Sequence, residues 1–591
     1  MSNSQGGVAK TVHISDGYAM SMGADEVGPY LEFGEYPNGV SKYRFVDEIY
    51  GDEHVIPTGK AVTSYIDKNA AYSDVYYDED VGEYKGLDVM FKSMRDGKSF
   101  GVDIFFDGGT SCVKTYDNAS IPNPVPSTLA EPGSDPYTNI PAFYHKDVCG
   151  YPDSNNYPHV TSVDNDVMFA NDGSAGAVLS MAPVLWWDFG LSHDDDGNPT
   201  KARLVISNTP FKGLDLQPEG DLPDGAIRPF MLYPKYALAM LDGHATSASG
   251  LQPLTRTVSH NTLITICNEL NELKNTSWSG RSVGLDWYIK VMFLIKYAVR
   301  DSQSVFKGCT GYDLKYTPVN ATDNQSYIDI PKSHGLVSGS AIMVGSEDQD
   351  RNVATAHDVV DYAVIKFIDD SADGYARLNL DRAVTVATTN CVKTAPWPTG
   401  ACDGIVGDGS PYNNQSGKEP FVLQGIELSL GMYEVMGNVV LKNDGTSGWK
   451  VYINPDCNNE ATTVTGDYID TGVALPTDDT DSLKYPTDMA NAGGMLVGTN
   501  TGGSTSTGLC DGYYTNSMST VGEREFLALG NLGNWGNAGL FCVYGHHGLG
   551  YARWAIGSRL SATGRSGGEF ASAKRGTPLV DGQTEEEDET S

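Results

Sequence analysis

REFLALGNLGNWGNAGLFCVYGHHGLGYARWAIGSRLSATGRSGG, residues 524–568, sets the reading of the whole chain. Two parts of it alternate apolar with small residues: Ala538, Gly539, Leu540 and Phe541, and the run from Ala552 through Trp554 and Arg559 to Leu560. That rhythm predicts strands, a fixed frame. Around the frame lie residues of no consistent character: Asn531, Leu532, Gly533, Asn534, Trp535, Gly536 and Asn537, then Cys542, Val543, Tyr544, Gly545, His546, His547, Gly548, Leu549, Gly550 and Tyr551. A strand-turn-strand frame that turns Tyr, His, Asn and Gly to solvent suits a binding surface. Tyr gives broad contact at small entropic cost, and small polar residues adapt their hydrogen bonds.

The block resembles the variable region of proteins diversified by diversity-generating retroelements, the major-tropism-determinant-like proteins of phages, which have a C-type-lectin fold. The resemblance implies that the AGLF-like and W-x-x-x-x-R-L-like strands stay constant while the residues between them vary among copies. Variation at template adenines turns Asn-type codons into those for residues such as Tyr, His, Gly, Cys, Val or Leu, and every residue from Cys542 to Tyr551 is reachable that way. Trp535 and Trp554 are not, which gives both a framework role. A second match is GIELSLGMYEVMGN (425–438), similar to a segment of the formylglycine-generating-enzyme-like branch of the same fold. Gly425, Ile426, Glu427 and Gly431 agree with it, while Leu428 and Met432 stand where that family has asparagines. Residues 184–220 and 254–313 resemble tail proteins of phages of gut Firmicutes.

Outward from the block, the chain reads as an α+β multidomain protein. Alternating segments such as GVDIFFDGG (101–109) predict a β-rich particle-attachment or oligomerisation domain over 1–120. A Pro-rich linker or loop follows at 121–150, because proline fixes an extended backbone. Residues 151–314 are expected to begin the lectin-like domain with two helices. HNTLITICNELNELK (260–274) puts Leu263, Ile266, Leu270 and Leu273 on one face, and LDWYIKVMFLIKYAVRD (285–301) carries a stripe of Trp287, Val291, Leu294 and Ala298. A small β insert is expected at 315–392, the lectin-like core with its variable region at 393–575, and a disordered acidic tail at 576–591. Residues 393–420 and 455–520 read as irregular loops.

Composition narrows the function. The 591 residues suggest about three to five domains. Asp plus Glu number 76 against 40 Lys plus Arg, a formal charge of −36 that repels nucleic-acid phosphates. No run reaches the roughly 18–20 apolar residues of a membrane span, and the N-terminus lacks an apolar signal stretch, so synthesis in a bacterial cytoplasm without ordinary export is expected. The nine cysteines form no CxxC pair, which favours buried thiols, although Cys391 and Cys402 are spaced to close a small loop under oxidation. Asp194, Asp196 and Asn198 have the i, i+2, i+4 spacing of a calcium loop, yet Pro199 and Val205 break the pattern, so a hairpin turn at Asp196-Gly197 is preferred. His546-His547 lacks a third ligand at metal spacing. No nucleophile elbow, HExxH or P-loop occurs, and formylglycine chemistry would need active-site cysteines where Cys542 falls in the variable stretch. The expectation is a virion protein of a phage tail, not an enzyme, with neither metal nor cofactor. It would be a homotrimer for avidity, holding other tail proteins and a cell-surface receptor of protein or glycan nature. A purely structural tail or baseplate protein and a polysaccharide-degrading tail enzyme are the alternatives.

Overall fold

Ser259 and Ser282 each start a helix by accepting a backbone N–H on the side-chain oxygen, from Thr262 at 3.2 Å and from Leu285 at 3.4 Å. In return, the Ser259 N–H donates to the Thr262 hydroxyl oxygen at 2.8 Å. The helices run His260–Lys274 and Val283–Tyr297, and both end in a left-handed residue, Asn275 and Ala298. The first helix turns differently from its expected stripe. It buries His260, Leu263, Ile264, Cys267 and Leu270, leaving Leu273 56% exposed. The second has no wet face, since all fifteen residues from Val283 to Tyr297 are buried, Asp286, Lys290 and Lys296 included.

This computed structural model describes residues 75–564 and, before them, only the backbone of five strands between Lys10 and Pro57. The expected tail at 576–591 and most of the expected N-terminal domain lie outside the described residues. The chain divides into two units, 1–77 with 85–94 and 78–84 with 95–591. In the first, the five strands form a sheet in chain order.

In the second unit, strands dominate. At 39% strand and 11% helix, the described residues are mostly β, which corrects the expected α+β class. The physical reason lies in the stretches read as irregular. Ile469–Ala474, Ser482–Lys484, Pro486–Ala492, Met495–Thr501 and Tyr513–Thr515 are short, polar strands with little periodicity of their own. Pairing makes them strands: Pro486–Ala492 and Met495–Thr501 form a hairpin with each other, while Ser482–Lys484 and Tyr513–Thr515 pair across about thirty residues. Residues 315–395 form a six-stranded sheet. The turn Asp194–Asn198 closes the hairpin of Trp186–His193 and Pro199–Ser207, with the Asp194 carboxylate accepting from the N–H groups of Asp196 and Asn198. The Pro-rich stretch 121–150 is no free tether: Tyr137, Ala142 and Phe143 are buried in the main core, and Asp135 pairs with Lys296 at 2.8 Å. All nine cysteines are free thiols, eight of them buried.

The buried helix Val283–Tyr297 is the axis about which sheets pack, with Trp287 edge-on to Trp187 and Tyr288 stacked on Tyr233. Its charges are matched internally. Arg281 donates to Glu434 at 2.6 Å and to Asp286 at 2.8 Å, Lys290 lies 2.7 Å from Asp286, and Arg559 donates to Glu434 at 2.8 Å. Burial opposes ionisation of Glu434, but Arg559 and Arg281 outweigh it and hold the carboxyl below its ordinary range. The network ties the helix, the strand Tyr433–Asn443 and the C-terminal framework into one body. Arg559 is therefore a framework residue, paired with an acid as its position in the strand-like run suggests.

Candidate binding face

The C-terminal block belongs to an eight-stranded sheet. In it, Gly522–Leu529 lies between Tyr433–Asn443 and Gly539–Gly545, and Tyr513–Thr515 follows. Tyr544 stands opposite Leu527 on one side and Tyr514 on the other. The frame is firm. Ala538, Leu540 and Phe541 are buried, and the Leu540 and Phe541 N–H groups donate to Ser302 at 3.0 Å and Asp511 at 2.8 Å. Gly539 is required there: its φ is 136°, and a Cβ would sit 2.3 Å from both carboxylate oxygens of Asp511. Burial pushes the Asp511 carboxyl well above its usual range. Trp554 and Leu560 are buried, with the Arg351 guanidinium 4.6 Å above the Trp554 ring.

On this frame lies a run of rings. The buried Tyr433 ring is 5.2 Å from Tyr544. Tyr544 stacks on Tyr514 at 5.0 Å and 8°, and Tyr514 meets His546 at 5.2 Å. Tyr544 also tilts against His547 at 5.1 Å, and His547 stacks on Tyr551 at 3.8 Å. Tyr514, Tyr544, His546 and His547 are half-buried, while Tyr551 is 40% exposed. His546 lies 3.5 Å from Asp481, and Arg553 lies 3.6 Å from Asp350. Burial, with His546 and Arg553 nearby, pushes the His547 imidazole down to about 4, so it is neutral at neutral pH. Burial raises the Tyr544 hydroxyl.

The loop after the last frame strand is held by its main chain. The His547 carbonyl accepts from the Glu525 N–H at 3.0 Å and the Leu549 carbonyl from the Asn261 N–H at 3.0 Å. The Tyr551 N–H donates to the Gly548 carbonyl at 2.9 Å, and the Arg553 carbonyl accepts from Arg256 at 3.0 Å. One side chain anchors the loop: Leu549 is buried with Val440 and Tyr468. A Cβ at Gly548 would meet nothing within 4 Å, and at Gly550 only the Asn261 amide at 3.7 Å. Gly533 and Gly536 are also exposed, with nearest contacts of 3.5 Å and 3.6 Å. The loop's shape thus depends little on what positions 548 and 550 carry.

Some expected residues fall elsewhere. Trp535, assigned to the frame, is 63% exposed, in a left-handed conformation with φ 50°. The Thr310 carbonyl and the Gln303 side chain hold its backbone, so the side chain is left outside. Cys542, assigned to the display, points into the core, where burial pushes its thiol up. Gly545 is buried too, with Leu441 pressed against it. Asn531 and Asn537 are half-buried: Asn531 accepts from the Gly533 N–H at 2.9 Å, and Asn537 is bonded by the Tyr485 hydroxyl. The 425–438 segment is structural. Glu427 accepts from the N–H groups of Gly400 at 3.0 Å and Cys402 at 2.9 Å, and burial, with Asp403 adding to it, pushes its carboxyl up to about 7. Leu428 and Met432 are buried, and Gly431, at φ 99°, packs against Leu532. Sequence reasoning missed Tyr514, Asp481 and Tyr433. The Tyr513-Tyr514 doublet was the one available signal, set in a stretch without periodicity.

Among the described residues, no group of three or more His, Cys, Asp or Glu side chains is arranged to hold a metal ion, and no helix is long and apolar enough to cross a membrane. No family model matches the chain, and no curated protein matches it.

Proposed function

We propose that this chain is a binding protein whose ligand meets the ring-lined face of residues 514, 534, 544, 546, 547 and 551. More particularly, it is a receptor-binding protein of a phage tail that presents this face to a bacterial surface. The observation that carries the reading is the separation of support from display: main-chain bonds and Leu549 hold the loop, and its other side chains are left for contact. Tyr and His rings on a rigid frame offer contact area at little entropic cost. Likeness to retroelement-diversified proteins fits this, because a loop of that kind absorbs substitution without losing its shape. Binding rather than bond cleavage is the activity, and several copies on one particle supply avidity.

The test is adsorption. Fluorescently labelled full-length chain is added to a panel of gut Firmicutes isolates, alongside a Tyr544→Ala/Tyr551→Ala variant. Labelling of some strains by the parent chain and not by the variant, at equal thermal stability, is the expected result. Labelling of no strain, with antibody locating the chain inside the tail, would mean a structural tail protein instead.

A further inference from the structure

The charge arrangement of the face points to the chemistry of its ligand. The chain carries a formal charge of −36, which opposes anionic polymers. On the face itself, the His546 imidazole lies 3.5 Å from Asp481, and Arg553 meets Asp350 at 3.6 Å. Arg524, nearby, is turned onto the Trp449 ring at 5.1 Å and donates to Asn516. Ionic attraction thus has little to work with.

What remains accessible is Tyr551, 40% exposed, and the outer parts of the half-buried Tyr514, Tyr544, His546 and His547 rings. The Tyr514–Tyr544 and His547–Tyr551 pairs lie within 8° and 21° of parallel. A stable protein–protein interface needs about 800 Å² from each partner, and a patch of one well-exposed and four half-buried rings is small for that. A sugar matches it better: its C–H faces lie on aromatic rings as apolar groups do, while its hydroxyls meet ring nitrogens and phenols at the rim.

Resting on the receptor-binding reading, we propose that the ligand of this face is a neutral glycan, stacked on the Tyr514–Tyr544 and His547–Tyr551 pairs. Asp481 and Tyr514 are the contribution of the chain outside the C-terminal block. They give the site a constant part beside the replaceable one.

The experiment has two arms. In the first, the full chain is passed over immobilised chitohexaose, mannohexaose and a β-galactan, with hyaluronan and polygalacturonate as anionic probes. Binding to at least one neutral probe, weakened tenfold or more by Tyr551→Ala and separately by Tyr544→Ala, is expected. In the second, bacteria adsorbed in the strain panel are treated with periodate, which cleaves sugar diols, or with protease. Adsorption lost to periodate and kept after protease supports the proposal. Adsorption kept after periodate and lost to protease, or binding to the anionic probes alone, overturns the glycan ligand and leaves the receptor-binding reading standing. Neutral-probe binding without adsorption to any strain does the reverse.

Discussion

Replacing Leu549 by Ala should loosen the display loop, whereas replacing Tyr551 by Ala should not. Leu549 is 7% exposed and packs with Val440 and Tyr468 in a small cluster set apart from the main cores. A buried Leu→Ala change costs about 2–5 kcal/mol, and a cluster of this size places it near 2–3 kcal/mol. Tyr551 is 40% exposed and its one ring contact is the stack on His547. Losing a half-solvated stack is worth about 0.5–0.7 kcal/mol. Two amides report on the loop directly, Glu525 N–H bonded to the His547 carbonyl and Asn261 N–H bonded to the Leu549 carbonyl. Their hydrogen exchange, followed by mass spectrometry of peptides covering 259–263 and 523–527, should speed up roughly 30- to 150-fold in Leu549→Ala and about threefold or less in Tyr551→Ala. Equal acceleration by the two variants would show that the displayed ring holds the loop, and the separation of support from display would fall.

Further outcomes follow from the same geometry. Gly548→Ser and Gly550→Ser should change stability by no more than about 0.5 kcal/mol, while Gly539→Ala, whose new methyl meets the Asp511 carboxylate at 2.3 Å, should lower the melting temperature clearly; urea and thermal melts compare them. Glu434→Gln leaves Arg281 and Arg559 facing a neutral amide and should cost about 3–5 kcal/mol, a drop of roughly 3–5 °C in a unit of this size; an unchanged melt would mean that water relieves the site. Burial pushes the Glu525 carboxyl up to about 9 from an ordinary 4.5. Between those values the folded chain keeps a proton that the unfolded chain has lost, so its stability falls as pH rises. Glu525→Gln stays neutral and should gain on the parent chain steadily in melts from pH 5 to pH 9; a difference independent of pH would contradict the assignment. His547 runs the other way: its folded value of about 4 lies below the ordinary 6.5, so its contribution is whole above 6.5 and is lost as pH falls toward 4, which His547→Phe should abolish in the same melts.

The legible parts of the fold were those governed by short range. Helix His260–Lys274 announces itself through a capping residue, Ser259 or Asn261, and an apolar period; its bounds coincide with the expected segment, and the structure makes Ser259 the cap. Its buried face is displaced by about one residue, since Ile264 and Cys267 serve in place of Ile266 and Leu273. Which stripe turns inward depends on what packs against the helix. The polar strands of 469–515 were unreadable because three to seven residues leave no usable period, whether the partner is local, as in the hairpin of Pro486–Ala492 with Met495–Thr501, or about thirty residues away, as for Ser482–Lys484 with Tyr513–Thr515.

By itself, the sequence determined the acidic balance and the cluster of Tyr, His and Gly near the C-terminus; of the two expected frame strands, Gly539–Gly545 is one, but the run 552–560 is irregular except at Ile556–Gly557. Only the tertiary structure decided which of those residues face outward. It turned Cys542 and Leu549 in and Trp535 out, and brought Tyr514 and Asp481 from another segment to complete the face. A side chain's direction follows from strand register and from bonds such as Asn261 to Leu549, which join residues hundreds of positions apart. Composition and local spacing carry no record of those partners.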